Sequence, residues 1–136
     1  MILVDTSVWI SIFRDKPSGF ANAFRDRIGG EAYVLSRFNQ LELLQGAKNE
    51  NEWLALDGYL STQLYLETTG ATWRDAARIF YDLRWKGLTI ISPIDCCIAQ
   101  LAIENGVLLL HRDHDFERIS TVRRLPEEFF QQESRL

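Results

Sequence analysis

Five carboxylates carry the chemistry open to this sequence: Asp5, Glu42, Asp95, Asp113 and Asp115. Asp5 directly follows the aliphatic run Ile2-Leu3-Val4, Asp95 stands beyond Thr89-Ile90-Ile91, and Asp113 and Asp115 come shortly after Val107 to Leu110. If those runs are strands of one parallel sheet, the aspartates lie along the edge where α/β sheets bind ligands. Carboxylates crowded in that way repel one another and raise their own pKa values, a conflict that a divalent cation resolves. Mg²⁺ suits such a site because it takes hard oxygen ligands, keeps several waters and is commonly held by a few carboxylates and substrate phosphate; Mn²⁺ prefers similar ligands. One or two such ions lower the pKa of a bound water, orient it for in-line attack and stabilise the leaving oxygen, so the chemistry in view is phosphodiester hydrolysis.

Taken singly, each acid has a plainer role. Asp5 and Asp95 stand where helix N-caps are wanted, and Asp113 and Asp115 suit turns. Their shared position is what argues for a site. Glu42 follows Phe38 by one helical turn and lies on or beside an inward face, where an unpaired carboxylate is costly unless a metal is near. His111 and His114 with Cys96 and Cys97 make a poor zinc site, because adjacent cysteines lack the usual two-residue ligand gap. Trp9, Trp53, Trp73 and Trp85 read as core or dimer-interface residues rather than base-stacking ones.

The elements that must position these residues follow from apolar periodicity. Met1 to Val4 reads as a buried strand, followed by a helix from about Ser7 to Phe13. Ser18 caps a second helix that runs to about Ile28 and stops at Gly29-Gly30. A strand over Ala32 to Leu35, helices over Arg37 to Lys48 and Asn51 to Leu60, and a brief strand between Leu64 and Glu67 come next. Trp73, Ala76, Ala77, Phe80 and Leu83 mark a core-facing stripe on a helix near Trp73 to Lys86, stopped by Gly87. Leu88 to Ile91 is a strand candidate, Ile94, Ile98, Leu101 and Ala102 mark a helix ended by Gly106, and Val107 to Leu110 is a buried strand. Short aliphatic strands alternating with amphipathic helices indicate an α/β fold with a parallel sheet covered on both faces.

The 136 residues, 46% of them hydrophobic, suffice for one core, and no linker or repeat divides the chain, so a single domain over residues 1–136 is expected. No apolar run is long enough for a membrane span and the N-terminus does not read as a signal peptide, which points to a cytoplasmic protein. Cys96 and Cys97 are the only cysteines and cannot usefully bridge, in keeping with a reducing compartment. The net charge of −4 excludes a general basic coating for nucleic acid, so any such contact must be local. Arg74, Arg78, Arg84, Arg112, Arg118, Arg123 and Arg124 are numerous enough to pool on one face, although solvated helix charges are the plainer reading of each.

Four stretches together resemble the successive motifs of the VapC toxins, a branch of the PIN-domain ribonucleases. They are Leu3-Val4-Asp5-Thr6-Ser7-Val8-Trp9, Leu41-Glu42-Leu43-Leu44-Gln45-Gly46, Ser92-Pro93-Ile94-Asp95 leading into Cys97-Ile98-Ala99, and His111-Arg112-Asp113-His114-Asp115-Phe116. The resemblance spans nearly the whole chain in the family's order. It implies a PIN fold with a five-stranded parallel sheet between helices, and a Mg²⁺- or Mn²⁺-dependent endoribonuclease acting on RNA. By motif, Asp5, Glu42 and Asp95 are the core acidic set, Thr6 or Ser7 adds hydroxyl contacts to metal water or phosphate, and the choice between Asp113 and Asp115 stays open. It also implies a homodimer and a cognate VapB-type antitoxin whose C-terminal segment lies across the acidic pocket, which is the electrostatic complement of an arginine. Two rival readings are an aspartate-based phosphatase with Asp5 as nucleophile, which would usually carry a second aspartate where Ser7 stands, and a PIN-like scaffold without activity.

Overall fold

The computed structural model describes residues 1–15, 19–89 and 91–131. Its elements, in chain order, are β1 (Ile2–Val4), α1 (Thr6–Arg14), α2 (Gly19–Ile28), β2 (Tyr33–Ser36), α3 (Arg37–Gln45), α4 (Glu50–Leu60), β3 (Tyr65–Leu66), α5 (Gly70–Trp85), α6 (Pro93–Asn105), β4 (Leu108–His111), α7 (Asp115–Ile119) and β5 (Glu127–Phe129). The five strands form one sheet in the order β3-β2-β1-β4-β5, and every neighbouring pair is parallel. Leu3 pairs with both Val34 and Leu109, so β1 is central.

Strand side chains alternate between faces, and the two cores follow that alternation. Leu3, Val34 and Leu109 pack with Ala76, Ile79 and Leu83 of α5, Ile98 and Leu101 of α6, and Phe116 of α7. Ile2, Val4, Leu35 and Leu110 point the other way, onto Val8 and Trp9 of α1, Phe24 of α2, Leu43 of α3 and Leu60 of α4. Both faces of β1 are therefore dry, which is why it is an unbroken aliphatic run. Gly29, Gly87 and Gly106 take positive φ (58°, 80° and 63°) just past α2, α5 and α6, where a left-handed residue ends a helix. Among the described residues no helix is long and apolar enough to cross a membrane.

Several expectations need correction. Leu88, Thr89 and Ile91 form no strand; Leu88 and Ile91 are apolar because they pack on the α5–α6 core, not because they pair. Ile90 and the expected cap Ser18 lie outside the described residues. The fifth strand is instead Glu127–Phe129, an edge strand whose polar composition gave no apolar run to find. The stripe on α5 is rotated from the expected one: its buried face is Thr72, Ala76, Ile79 and Leu83, while Trp73 is 54% exposed and Ala77 is also exposed. That helix also starts earlier, at Gly70, because Thr69 and Thr72 form a reciprocal cap in which Thr69 N–H donates to Thr72 Oγ1 at 2.9 Å. Of the tryptophans only Trp9 is buried; Trp53, Trp73 and Trp85 are exposed.

Candidate active site

The chain runs from β1 outward to β3 on one side, then returns to place β4 on the other side of β1. The carboxyl ends of β1 and β4 therefore flank the point where strand order reverses, the place where open α/β sheets form a ligand crevice. Asp5 and Asp113 follow those two strand ends.

Asp5 is fixed by its backbone, whose N–H donates to the Leu110 carbonyl of β4 at 2.9 Å. Its side chain, 5% exposed, is the N-cap of α1: Oδ2 accepts from Ser7 N–H at 3.0 Å and from Ser7 Oγ at 2.6 Å. The cap role and a place in the acidic cluster are thus compatible in one residue. Ser7 Oγ in turn accepts from Arg112 N–H at 2.8 Å, which ties the loop after β4 to the start of α1. Burial pushes the Asp5 carboxyl upward and outweighs the lowering by the Ser7 hydrogen bonds.

A buried chain of hydrogen bonds leads from β2 to Glu42. Ser36 caps α3 reciprocally with Asn39, whose Oδ1 accepts from Ser36 N–H at 2.9 Å and from Ser36 Oγ at 2.7 Å. With its oxygen held there, the Asn39 amide donates to Thr6 Oγ1 at 3.0 Å and reaches Asp5 Oδ1 at 3.4 Å. Thr6 Oγ1 then donates to Glu42 Oε1 at 2.9 Å. Sequence reasoning missed Asn39; the signal available was the Ser36-x-x-Asn39 cap spacing one turn before Glu42. Both hydroxyls expected to touch metal water or phosphate are engaged with protein groups here, Thr6 with Glu42 and Ser7 with Asp5. Burial raises the Glu42 carboxyl most, Thr6 opposes it, and the charges of Asp5 and Asp113 add to the rise.

Asp95 is not the cap of α6. Ser92 has that role, accepting from Ile94 N–H at 3.1 Å, with Pro93 in the first turn where its missing N–H costs nothing. Asp95 sits in that first turn facing the other acids. Burial first, then Asp5, Asp113, Glu42 and Asp115, push its carboxyl up to about 8. Among the described residues no donor reaches that carboxylate to offset the burial and the repulsion.

Asp113 and Asp115 complete the group: one ligand oxygen from each of Asp95, Asp113 and Asp115 lies within 4.8 Å of the others. Asp113 Oδ1 accepts from Asp115 N–H at 2.9 Å, and Asp113 N–H donates to His111 Nδ1 at 3.1 Å. A ring nitrogen that accepts carries no proton, so the His111 proton sits on Nε2, which contacts Glu127 Oε2 at 2.5 Å. The two acids differ in compensation: Arg118 pairs with Asp115 at 2.5 Å, whereas among the described residues Asp113 has no salt-bridge partner and faces Asp95 and Glu42.

All five donors are carboxylate oxygens, and burial together with the crowding of the acids raises one of them to about 8, which fits a hard divalent cation such as Mg²⁺ or Mn²⁺. A thiolate site does not fit, since burial pushes the Cys96 thiol up to about 12, and His111 has both ring nitrogens engaged.

The chain is similar to known proteins in both sequence and fold. The family model described as PIN domain matches residues 2–122. The chain is 35% identical over 128 residues to VapC ribonuclease Mb1587 of Mycobacterium bovis, covering 92% of this chain and 96% of that one. It is 31% identical to ribonuclease VapC51 of Mycobacterium tuberculosis, covering 91% and 88%. Its fold is similar to that in the crystal structure of VapBC2 from Rickettsia felis bound to a promoter DNA fragment, with a TM-score of 0.78, 23% identity and 96% and 100% of the two chains covered. A DNA-bound VapBC from Salmonella typhimurium matches with a TM-score of 0.75, 24% identity and coverage of 93% and 96%.

Proposed function

This chain belongs to the PIN-domain family and to its VapC ribonucleases, and from that premise we propose that it is a Mg²⁺- or Mn²⁺-dependent endoribonuclease, the toxin of a VapBC-type pair. The observation that carries the reading is Asp95, set among Asp5, Glu42, Asp113 and Asp115 at the β1/β4 crevice, its carboxyl driven up to about 8 first by burial and then by those four neighbours.

Asp5, Glu42 and Asp95 are the proposed core ligands, with the fourth drawn from Asp113 and Asp115, whose oxygens lie within 4.8 Å of one another and of Asp95. When bound, a divalent ion supplies charge neutralisation and an acidified water at a phosphodiester. The chain's own residues do the positioning. Ser7 holds Asp5 Oδ2, and the Asn39 amide reaches Oδ1 at 3.4 Å. Asn39 and Thr6 fix the rotamer of Glu42, and His111 fixes the backbone of Asp113. Arg118 pairs with Asp115 at 2.5 Å and offsets part of its charge, which still adds to the rise of Asp95.

The solved relatives from Rickettsia felis and Salmonella typhimurium are VapBC assemblies, and we extend that partnership to this chain: a VapB-type antitoxin whose basic group enters the acidic crevice. The Phe38–Trp73 aromatic pair, with rings 5.5 Å apart and exposed Leu41 one turn along α3, is the proposed homodimer face. The site of action is the cytoplasm, with its RNA. The phosphatase reading lacks its second aspartate, since position 7 is a serine that donates to Asp5. An inactive scaffold is disfavoured because none of the expected acids is missing.

The test is cleavage of a mixed RNA pool by the purified chain with Mg²⁺, Mn²⁺ or EDTA, beside Asp95→Asn. Metal-dependent cleavage lost in the variant is expected; metal-independent cleavage, or full activity in the variant, overturns the proposed site.

A further inference from the structure

Between Asp113 and Asp115 stands a side chain that the acidic site does not use. The His114 ring lies flat on Phe129, with ring centres 4.5 Å apart and an angle of 17° between their planes. Phe129 is held in turn by His111, edge-on at 5.7 Å, and by the Arg112 guanidinium, also 5.7 Å from the ring centre. His114 Nδ1 meets Glu117 Oε2 at 3.0 Å. A bond to a ring nitrogen lies in the plane of the imidazole and leaves its faces untouched. With the side chain 65% exposed, the face turned away from Phe129 is open to solvent.

The stack shares an edge of the sheet with the acids. Phe129 is the last residue of β5 and pairs with His111, the last of β4, so it stands at the carboxyl edge. The His114 Cα is one chain step, about 3.8 Å, from that of each flanking aspartate. Those two aspartates and Asp95 bring oxygens within 4.8 Å of one another, so a phosphate held there would carry its base to the rim that His114 occupies. The chemistry of that rim favours a base over a phosphate. Crowded carboxylates repel an anion that no ion bridges, and the nearby guanidiniums are taken, Arg118 by Asp115 and Arg112 by the Phe130 carbonyl. A nucleobase is neutral, and every base has a π-face, so stacking works there whatever the sequence. The fold makes little use of the ring: His114 belongs to neither core, and an exposed pair such as His114–Glu117 contributes little. Phe129 and Glu117 already orient it, so little rotamer freedom is lost when a base lands on it.

We propose that His114, backed by Phe129, is a stacking platform for the unpaired base beside the scissile phosphate of a single-stranded RNA. The proposal rests on the nuclease reading and deepens it. The chain has two histidines and His111 is wholly buried, so the ring protons of His114 can be followed by NMR. Titration of the full chain at fixed pH in EDTA, where nothing is cleaved, with a mixed-sequence single-stranded oligoribonucleotide should move those protons upfield, as a base ring above them does. A ribose-phosphate strand of the same length without bases should not. With the oligoribonucleotide made fluorescent, His114→Ala is expected to weaken binding about tenfold, the loss of one stacked base, and His114→Phe to retain most of it. With Mg²⁺, His114→Ala should raise KM more than it lowers kcat. Unchanged affinity and KM in His114→Ala overturn the platform. So do equal losses in the alanine and phenylalanine variants, which would make His114 a support of the acid turn, and equal shifts from the strand without bases, which would make the contact one with phosphate. Base-dependent binding through His114 without cleavage in Mg²⁺ or Mn²⁺ keeps the platform and removes the nuclease; metal-dependent cleavage with an unchanged KM in His114→Ala does the reverse.

Discussion

Thr6 Oγ1 donates its proton to Glu42 Oε1 at 2.9 Å, and it is free to do so because it accepts from Asn39 Nδ2 at 3.0 Å. The direction of this relay is imposed from β2, where Ser36 occupies the Asn39 oxygen. Thr6→Val removes the donor and leaves Glu42 partly buried without a partner. Residues that orient a metal ligand are typically worth about 10- to 100-fold in metal affinity or activity. We expect a loss in that range for Thr6→Val and near-normal behaviour for Thr6→Ser, measured by Mn²⁺ titration calorimetry and by RNA cleavage. Equal behaviour of both variants and the parent would dissociate Glu42 from the site.

A pH dependence follows from Asp95. Its carboxyl lies at about 8 in the folded chain against an ordinary 3.8, so between those values the metal-free folded state binds a proton that the unfolded state has released. Stability should therefore fall as pH rises from about 4 to about 8 and level off above, the contribution being full below the unfolded value and lost through the folded one. Thermal midpoints of the EDTA-treated protein across that window measure this. Asp95→Asn should flatten the Asp95 part of the slope and raise the midpoint at neutral pH, while abolishing cleavage. Metal binding at pH 7 should release protons, seen as a dependence of the calorimetric heat on buffer ionisation.

The sequence made some of this legible and hid the rest for physical reasons. β1 and β4 are dry on both faces and so are written as aliphatic runs, which located Asp5 and the Asp113–Asp115 stretch. Glu127–Phe129 is an edge strand whose glutamates answer His111 and Arg27, so its composition reads as a polar loop. Leu88 and Ile91 erred the other way, apolar because they are covered by α5 and α6 although, among the described residues, they join no strand. Asn39 was silent because an asparagine inside a helix acquires meaning only when Thr6, 33 residues earlier, is brought against it.

Asp113 and Asp115 are chemically alike and are separated by Arg118. The guanidinium already pairs with Asp115 and offsets part of its charge, so replacing that carboxylate should cost a bound ion less than replacing one without such a partner. Among the described residues Asp113 has no such partner, and it couples to both Glu42 and Asp95. Asp113→Asn should thus lower activity and metal affinity at least about tenfold more than Asp115→Asn, as expected for loss of a ligand charge. The reverse order in side-by-side Mn²⁺ titrations would assign the ligand to Asp115.

His111 couples the edge of the sheet to the acid loop. Wholly buried, it receives Asp113 N–H on Nδ1 and holds Glu127 of β5 through Nε2, while its ring packs 5.0 Å from that of Phe116. His111→Phe keeps an aromatic ring in the core and removes both polar contacts, leaving a backbone N–H beside the site without its acceptor and a partly buried carboxylate on β5 without its donor. An orphaned buried polar group costs about 1–3 kcal/mol, so the thermal midpoint should fall by several degrees. Activity should fall as well, because the Asp113 backbone is no longer held. The two effects can be separated: adding Glu127→Gln to His111→Phe should recover part of the stability by removing the stranded charge, and none of the activity, because Asp113 still lacks its anchor. Recovery of both together in denaturation and cleavage assays would show that His111 serves only the fold.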